Sequence, residues 1–423
     1  MSSNKNNNVI YLDYHSTTPI DPRVAERMLY YMTTAFGNAS SIDHEYGDEA
    51  EKAVNQAAIH VADLIGASPK EIVWTSGATE SINLAIFGSL DRNNQQRNER
   101  KNKILAKKSI FKRILNWIID KLINRKSQTL PRIAITTVEH QAVLDTCEEI
   151  AKKGLAEVIS ILVDSKGKID LEYLDKICAG GLSLLCVMAA NNEIGNIYPI
   201  QQIGQIAQKY NIPFLCDASQ AVGKIPINFA EWGITYLAIS AHKLYGPKGV
   251  GALVVQKGHS LKPILYGGGH QKGMRSGTLN VPGIVALGEA CRLRKLEMEQ
   301  DELAIAAKRD RLQKLLSDAI PNLVINGDTD CRLAGNLHIS VPSIPNSAII
   351  ARVRSKLAIS RGAACSSGVE APSHVLQALG LPSELVEGAL RMGIGKLTTD
   401  EEIEQAAEIL STAIYSVNKV MKT

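Results

Sequence analysis

The feature that most restricts this chain is an alternation of short apolar, β-prone runs with segments of helical spacing. Residues 72–75, 133–138, 182–190, 212–217 and 236–239 read as strands, whereas 24–32, 47–65 and 200–210 carry apolar residues every three or four positions. Strands that alternate with helices pair in parallel, because a parallel neighbour is reached only through a crossover long enough to hold a helix. The expected fold class is therefore α/β, built on a large, mainly parallel sheet. In such sheets ligands gather outside the carboxyl ends of the strands. Residues at those ends are the first candidates for chemistry.

Two of the runs end in such residues. Ile212-Pro-Phe-Leu-Cys-Asp217 closes on a carboxylate, and Tyr236-Leu-Ala-Ile passes through Ser240-Ala-His242 to Lys243 before Gly246 and Pro247 break the chain. A lysine leaving a buried strand is costly unless it is neutral or used covalently. Ser240 and His242 set hydroxyl and imidazole donors beside it, as an anionic ligand needs. Taken singly, Lys243 reads equally as a surface lysine in a turn, and Asp217 as a helix cap. Taken together, an amine that can hold an aldehyde and a carboxylate that can keep a ring nitrogen protonated are the minimal apparatus for pyridoxal phosphate. Further upstream, Thr75-Ser-Gly-Ala78-Thr79-Glu-Ser joins a strand to a helix start, where free amides and the Thr79 hydroxyl suit a phosphate. His140 stands at a second strand-to-helix junction, and in isolation it reads as a capping or packed histidine.

Composition bounds the class without choosing a partner. At 423 residues and 45% apolar content the chain holds two or three domains, and its net charge of +4 selects no ligand class. Seven cysteines, odd in number and without Cys-x-x-Cys spacing, speak against a disulfide framework. The polar start, Met-Ser-Ser-Asn-Lys-Asn-Asn-Asn, has no apolar signal-peptide stretch, and no run reaches membrane-spanning length, so a cytoplasmic location is expected. Residues 91–126 stand apart, with 12 Lys/Arg and 3 Asp/Glu against 35 and 40 in the remainder. There Ile110, Phe111, Ile114, Leu115, Ile118 and Leu122 form a helical stripe flanked by Lys107, Lys108, Lys112 and Arg113. The insert, residues 91–130, reads either as a solvated helix laid on its host domain or as a contact for a partner protein, nucleic acid or an acidic membrane surface.

The motifs in order carry a resemblance. Tyr-Leu-Asp near the N-terminus, Thr-Ser-Gly-Ala-Thr-Glu-Ser, Glu-His-Gln-Ala-Val-Leu, Asn-Asn-Glu-Ile-Gly, Asp-Ala-Ser-Gln, Ser-Ala-His-Lys-Leu-Tyr-Gly-Pro-Lys-Gly and Gly-Gly-Gly-His270-Gln-Lys-Gly-Met-Arg275-Ser-Gly-Thr278 together resemble the cysteine desulfurases, class V, fold-type I pyridoxal phosphate enzymes. The match runs from about Tyr11 to Ile409 and leaves out only the termini and the insert, which is longer than the family's usual connection. It implies a fold-type I transferase with a large, mainly parallel-sheet domain over residues 17–296, including the insert. Residues 1–16 plus 297–423 would form a smaller α+β domain that carries the catalytic cysteine loop.

The resemblance also implies roles. Lys243 would hold the cofactor covalently and later move the Cα proton, Asp217 would pair with the pyridinium nitrogen, and His140 would stack on the ring and assist proton transfer. Asn192 and Gln220 would contact ring substituents, with Asn192 also near substrate. Ala78, Thr79, Ser240 and His242 would grip the phosphate with Thr278 of a second subunit, so a homodimer is expected. Arg391, in Leu390-Arg-Met-Gly393, would pair with the substrate carboxylate, with Gly393 standing where serine is common. Asn336 matches a further family position, and Tyr14 and His15 depart from the commonest wording.

Cysteine usage separates one thiol from the rest. Cys147, Cys178, Cys186, Cys216 and Cys291 read as buried small hydrophobes, and Cys331 as incidental. Cys365 lies in Ser-Arg-Gly362-Ala-Ala-Cys-Ser-Ser-Gly368, a run of small residues that leaves a thiolate accessible, and the family's catalytic cysteine stands at this position. The implied reaction converts L-cysteine to L-alanine, with sulfur held on Cys365 as a persulfide and passed to sulfur-acceptor proteins of iron–sulfur or thio-modification pathways. Two rivals are another class V enzyme, such as a selenocysteine lyase or an aminotransferase, and an idle scaffold whose insert binds nucleic acid or membrane.

Overall fold

A computed structural model describes residues 9–90, 130–361 and 372–421. Cys365 and nearly all of the basic insert lie outside the described residues, as do the expectations placed on them. The strands in chain order are β1 (Ile10–Tyr11), β2 (Ile72–Thr75), β3 (Arg132–Thr136), β4 (Glu157–Ile161), β5 (Leu184–Cys186), β6 (Phe214–Asp217), β7 (Tyr236–Ser240), β8 (Gly251–Val255), β9 (Val324–Ile325), β10 (Asn336–Ser340), β11 (Leu357–Ala358) and β12 (Ala389–Gly393). Seven of them form one sheet in the order β2-β8-β7-β6-β5-β3-β4. Strands β3 to β7 run parallel to one another, and β8 lies antiparallel to both β7 and β2. This is the α/β, fold-type I arrangement that the strand–helix alternation predicts.

Both faces of the sheet are covered, and side-chain alternation along each strand shows how. Phe214, Cys216, Leu237 and Ile239 enter one apolar cluster, with the helix Glu45–Ile65 and the start of the helix Val281–Ala319. Leu215, Tyr236 and Ala238 enter the other, with the helix at 78–90 and the helix Gln141–Lys152. A strand buried on both faces reads as a continuous apolar run, which is why these segments were visible in sequence. Edge strand β2 is shielded by Gln271, whose amide donates to the Trp74 carbonyl at 2.9 Å and accepts from the Trp74 N–H at 2.6 Å.

One strand is shorter than the sequence suggests. Residues 182–190 predict a single run, but β5 spans only Leu184–Cys186. Val187 and Ala189 still donate to Leu215 and Asp217. On the other side, however, the Met188 N–H donates to the Glu139 carboxyl at 3.0 Å, not to a strand. A buried side chain therefore replaces the ladder at the point where the strand reaches the site.

A second sheet, ordered β12-β10-β9, is antiparallel, and β1 pairs in parallel with β11. Leu337, Ile339, Leu390 and Met392 face a separate core with Ile10, Leu12, Ile305, Leu312, Leu316 and the helix Asp400–Met421. Period-two alternation puts Asn336, His338, Arg391 and Gly393 on the opposite, polar face. The long helix Val281–Ala319 serves both cores, the first through residues up to Leu293 and the second from Ile305 onward. Among the described residues no helix is long and apolar enough to cross a membrane.

Candidate active site

Neighbouring parallel strands β6 and β7 set the first two candidates. Asp217 is the last residue of β6 and is 6% exposed, and Lys243 ends a single 3₁₀ turn, Ala241–Lys243, directly after β7. Asp217 caps no helix. Its Oδ1 accepts from the Ser219 N–H at 3.0 Å and from the Ser219 hydroxyl, while Oδ2 accepts nothing among the described residues. The Lys243 amine donates to the carbonyls of His15 and Ser16 at 2.6 and 2.7 Å. Burial first, then the cations Lys224 and Arg391, push this amine down to about 7, against the weaker pull of Asp13 and Asp217. The turn after it is held by Tyr245, which takes a left-handed φ of 65° and donates its N–H to Thr18 Oγ1 at 2.8 Å.

These groups open on a cavity of about 440 Å³. Of the residues the sequence singled out, Ala78, Thr79, His140, Asn192, Asp217, Gln220, Ser240, His242, Lys243 and Arg391 all line it. Thr278 does not. It is exposed, on a segment that Arg275 ties to Glu80 through an ion pair of 2.8 Å.

At the 78–90 helix start, Ser81 N–H makes the first turn bond to Gly77, so the amides of Ala78 and Thr79 have no intrahelical partner. His242 is pushed down to about 4 by burial and by Lys243, Lys248 and Lys224, so it is neutral at pH 7, and its Nδ1 lies 3.2 Å from Thr17 Oγ1.

His140 combines two readings. It caps the helix Gln141–Lys152, with Nδ1 accepting from the Ala142 N–H at 3.0 Å, which leaves the proton of the neutral ring on Nε2. Its neighbour Glu139 is fully buried, accepts from Thr136 at 2.6 Å and from Met188, and leaves Oε2 without a partner. Burial pushes the Glu139 carboxyl up to about 8, with Asp217 adding to the effect.

Arg391 sits on the polar face of β12 and is 2% exposed. Nη1 donates to the Asn192 carbonyl at 2.8 Å, and Nη2 donates to Asp13 Oδ1 at 3.0 Å and to Ser16 Oγ at 2.7 Å. Its Nε is buried and unpartnered. Gly393 has a steric reason: a Cβ there would lie 2.8 Å from the backbone nitrogens of both Tyr14 and His15. Asn336 donates to the Glu193 carbonyl at 2.9 Å, which joins β10 to the loop bearing Asn192.

Sequence reasoning assigned no role to the turn Asp13–Ser16. In the structure this turn meets both basic side chains: its carbonyls face Lys243, and its Asp13 and Ser16 side chains face Arg391. Only its density of polar residues before an apolar helix hinted at this.

The donor set fits pyridoxal phosphate. It offers a discharged amine, a carboxylate with one free oxygen, unpaired helix-start amides beside two hydroxyls, and apolar lining from Ile82, Met188 and Ala190. Fold and site thus define a pyridoxal-phosphate-dependent enzyme of fold type I. The family model of the class-V aminotransferases matches residues 10–108 and 113–406. A protein named cysteine desulfurase IscS from Colwellia psychrerythraea is 42% identical over 409 residues, covering 96% of this chain and 92% of its own. A protein of the same name from Anaeromyxobacter dehalogenans is 39% identical over 413 residues, covering 97% and 94%. A solved structure titled NifS-like protein is 31% identical, with a TM-score of 0.79 over 96% of this chain and 98% of its own. The chain belongs to the class-V aminotransferases and, within them, to the cysteine desulfurase family.

Proposed function

We propose that the chain is a pyridoxal-phosphate-dependent cysteine desulfurase that converts L-cysteine to L-alanine and carries the sulfur on Cys365. The observation that carries this reading is one cavity shared by Lys243, Asp217, His140 and Arg391, in a chain whose relatives bear that name. When bound, the cofactor supplies an electron sink for the bonds at the substrate's Cα and Cβ. Ala78, Thr79, Ser240 and His242 would hold its phosphate, Asp217 its ring nitrogen, and Lys243 its aldehyde.

The remaining work belongs to this chain's side chains. Arg391 lines the cavity with its guanidinium held through Nη1 and Nη2, and it supplies the cation for the substrate carboxylate. Lys243, once the substrate's amine has displaced it, is a free amine lowered to about 7 and takes the Cα proton on Nζ. His140, held through Nδ1 at the cavity wall, stacks on the ring and assists the proton's passage. The Cys365 thiolate attacks the substrate sulfur, the S–S bond forms as the Cβ–S bond breaks, and the carbon product leaves protonated as alanine. Cysteine and thiol thus balance against alanine and persulfide. The persulfide passes to a sulfur-acceptor protein, whose choice the basic insert at 91–130 biases. A second copy of the chain contributes Thr278 to the phosphate, and residues 1–16 with 297–423 form the smaller domain. Support for that division is the separate core joining Ile10 and Leu12 to residues 305–417.

The test is Cys365→Ala in the loaded enzyme. It is expected to keep the visible chromophore, bound through Lys243 and fixable there by borohydride, and to lose alanine formation from cysteine. Alanine formed at the parent rate would point instead to another class V activity.

A further inference from the structure

A second amine stands behind the cavity wall. Lys224 Nζ donates to Gln220 Oε1 at 2.9 Å, Gln220 Nε2 donates to the His15 carbonyl at 2.8 Å, and the Lys243 amine donates to that same carbonyl at 2.6 Å. Three hydrogen bonds therefore join the two lysines through one amide and one carbonyl. An ammonium has donors only, so it fixes Gln220 with Oε1 toward Lys224 and Nε2 toward His15. Without it, Oε1 keeps only a longer contact of 3.4 Å to His15 Nδ1, and the orientation of the amide is less firmly set. The turn that carries Lys224 is pinned from the far side. Arg294, 1% exposed, donates Nε to the Gly223 carbonyl at 2.7 Å and Nη2 to Glu302 at 2.8 Å, and it also pairs with Asp301.

We propose that Lys224 is a positioning residue for Lys243: it fixes the amide that braces the His15 carbonyl, and its charge disfavours a second ammonium in the cavity. The proposal deepens the reading of Lys243 as the cofactor-bearing amine. The charges around Lys243 are Lys224 and Arg391 on one side of the balance and Asp13 and Asp217 on the other, with His242 and His15 kept neutral by burial. Burial lowers the Lys224 amine to about 8, with Glu302 holding it up and Arg294 and Arg391 pushing it down, so it is still mostly charged at pH 7. An amine must lose its proton before it can act as nucleophile or base, and a neighbouring cation promotes that loss.

The experiment follows Lys243 directly. Full-length protein stripped of cofactor is acetylated with acetic anhydride across a pH series, and modification of the Lys243 peptide is read by mass spectrometry. In Lys224→Met, and in Lys224→Gln as a second neutral variant, the midpoint is expected to move to higher pH by about one unit. Lys224→Arg, which keeps the charge, is expected to stay near the parent midpoint. In the loaded protein the neutral variants should lower kcat for cysteine more than they raise KM, and Arg should rescue. An unchanged midpoint in whichever neutral variant keeps the parent circular dichroism overturns the proposal, as does an equal shift in the Arg variant. Labelling needs no turnover, so a protein that proved unable to consume cysteine would still give this result.

Discussion

Arg391 and Asp13 lie 378 positions apart in sequence, yet Nη2 and Oδ1 meet at 3.0 Å. The pair joins the second sheet to the turn whose carbonyls hold the Lys243 amine, so the substrate side and the cofactor side of the cavity share one short segment. Arg391 is buried and Asp13 keeps 20% of its side chain exposed. Removing the carboxylate leaves a buried cation short of its partner. Asp13→Ala should therefore cost on the order of 3 kcal/mol, read as a lower urea midpoint. It should also raise KM for cysteine more than Asp13→Asn does. Parent stability in Asp13→Ala would show the pair to be dispensable.

Gly393 bears on the same turn from the other side. The Cβ of any side chain there would lie 2.8 Å from the Tyr14 and His15 nitrogens and 3.0 Å from His15 Cδ2. Two of these neighbours are backbone, which cannot rotate away. Gly393→Ser is expected to lower stability by about 1–3 kcal/mol through overpacking. Because the displaced backbone carries the His15 carbonyl, kcat should fall as well. Thermal melting and steady-state kinetics on the one variant check both outcomes, and an unchanged melting temperature would mean that the turn yields freely.

What the sequence made legible follows from range. Strand-to-helix alternation is local, so β6 and β7 and the residues that leave them, Asp217 and Lys243, could be placed at neighbouring strand ends before any coordinates. The five cysteines read as buried are buried, and Cys331 is exposed. What stayed hidden depends on contacts between distant segments. No spacing rule links Asp13 to Arg391, Lys224 to His15, or Gly393 to Tyr14. The shortening of β5 was hidden too, because Glu139, which replaces its ladder at Met188, lies on another element. His140 looked like a choice between cap and catalyst, and the structure shows the cap, through Nδ1, on a residue that also lines the cavity.

Glu139 gives a pH signature. Its carboxyl is raised from 4.5 to about 8 by burial, so in the folded protein it is still protonated where the unfolded chain has ionised. Below about 4.5 both states are protonated and the group costs nothing. As pH rises toward 8 the folded state increasingly bears the cost of withholding ionisation, so stability falls. Glu139→Gln keeps an acceptor for Thr136 and Met188 but cannot ionise. Its stability relative to the parent is expected to rise steadily from pH 5 to pH 8, and urea midpoints across that range measure it. A parallel pair of curves would mean that the carboxyl ionises freely.

Lys243 gives the opposite slope. In the cofactor-free protein its amine is lowered from 10.5 to about 7. Above 10.5 it is neutral folded or unfolded, and no penalty exists. As pH falls toward 7 the unfolded chain takes up a proton that the folded one resists, so the folded state loses ground, and below 7 the loss is complete. Stability should therefore climb from pH 7 to pH 10 relative to Lys243→Met, which has no proton to exchange and fills similar space. Midpoints of the cofactor-free parent and the variant at pH 7, 8.5 and 10 decide it. If the two curves run parallel, the amine titrates as it would in water, and the cavity does not tune it.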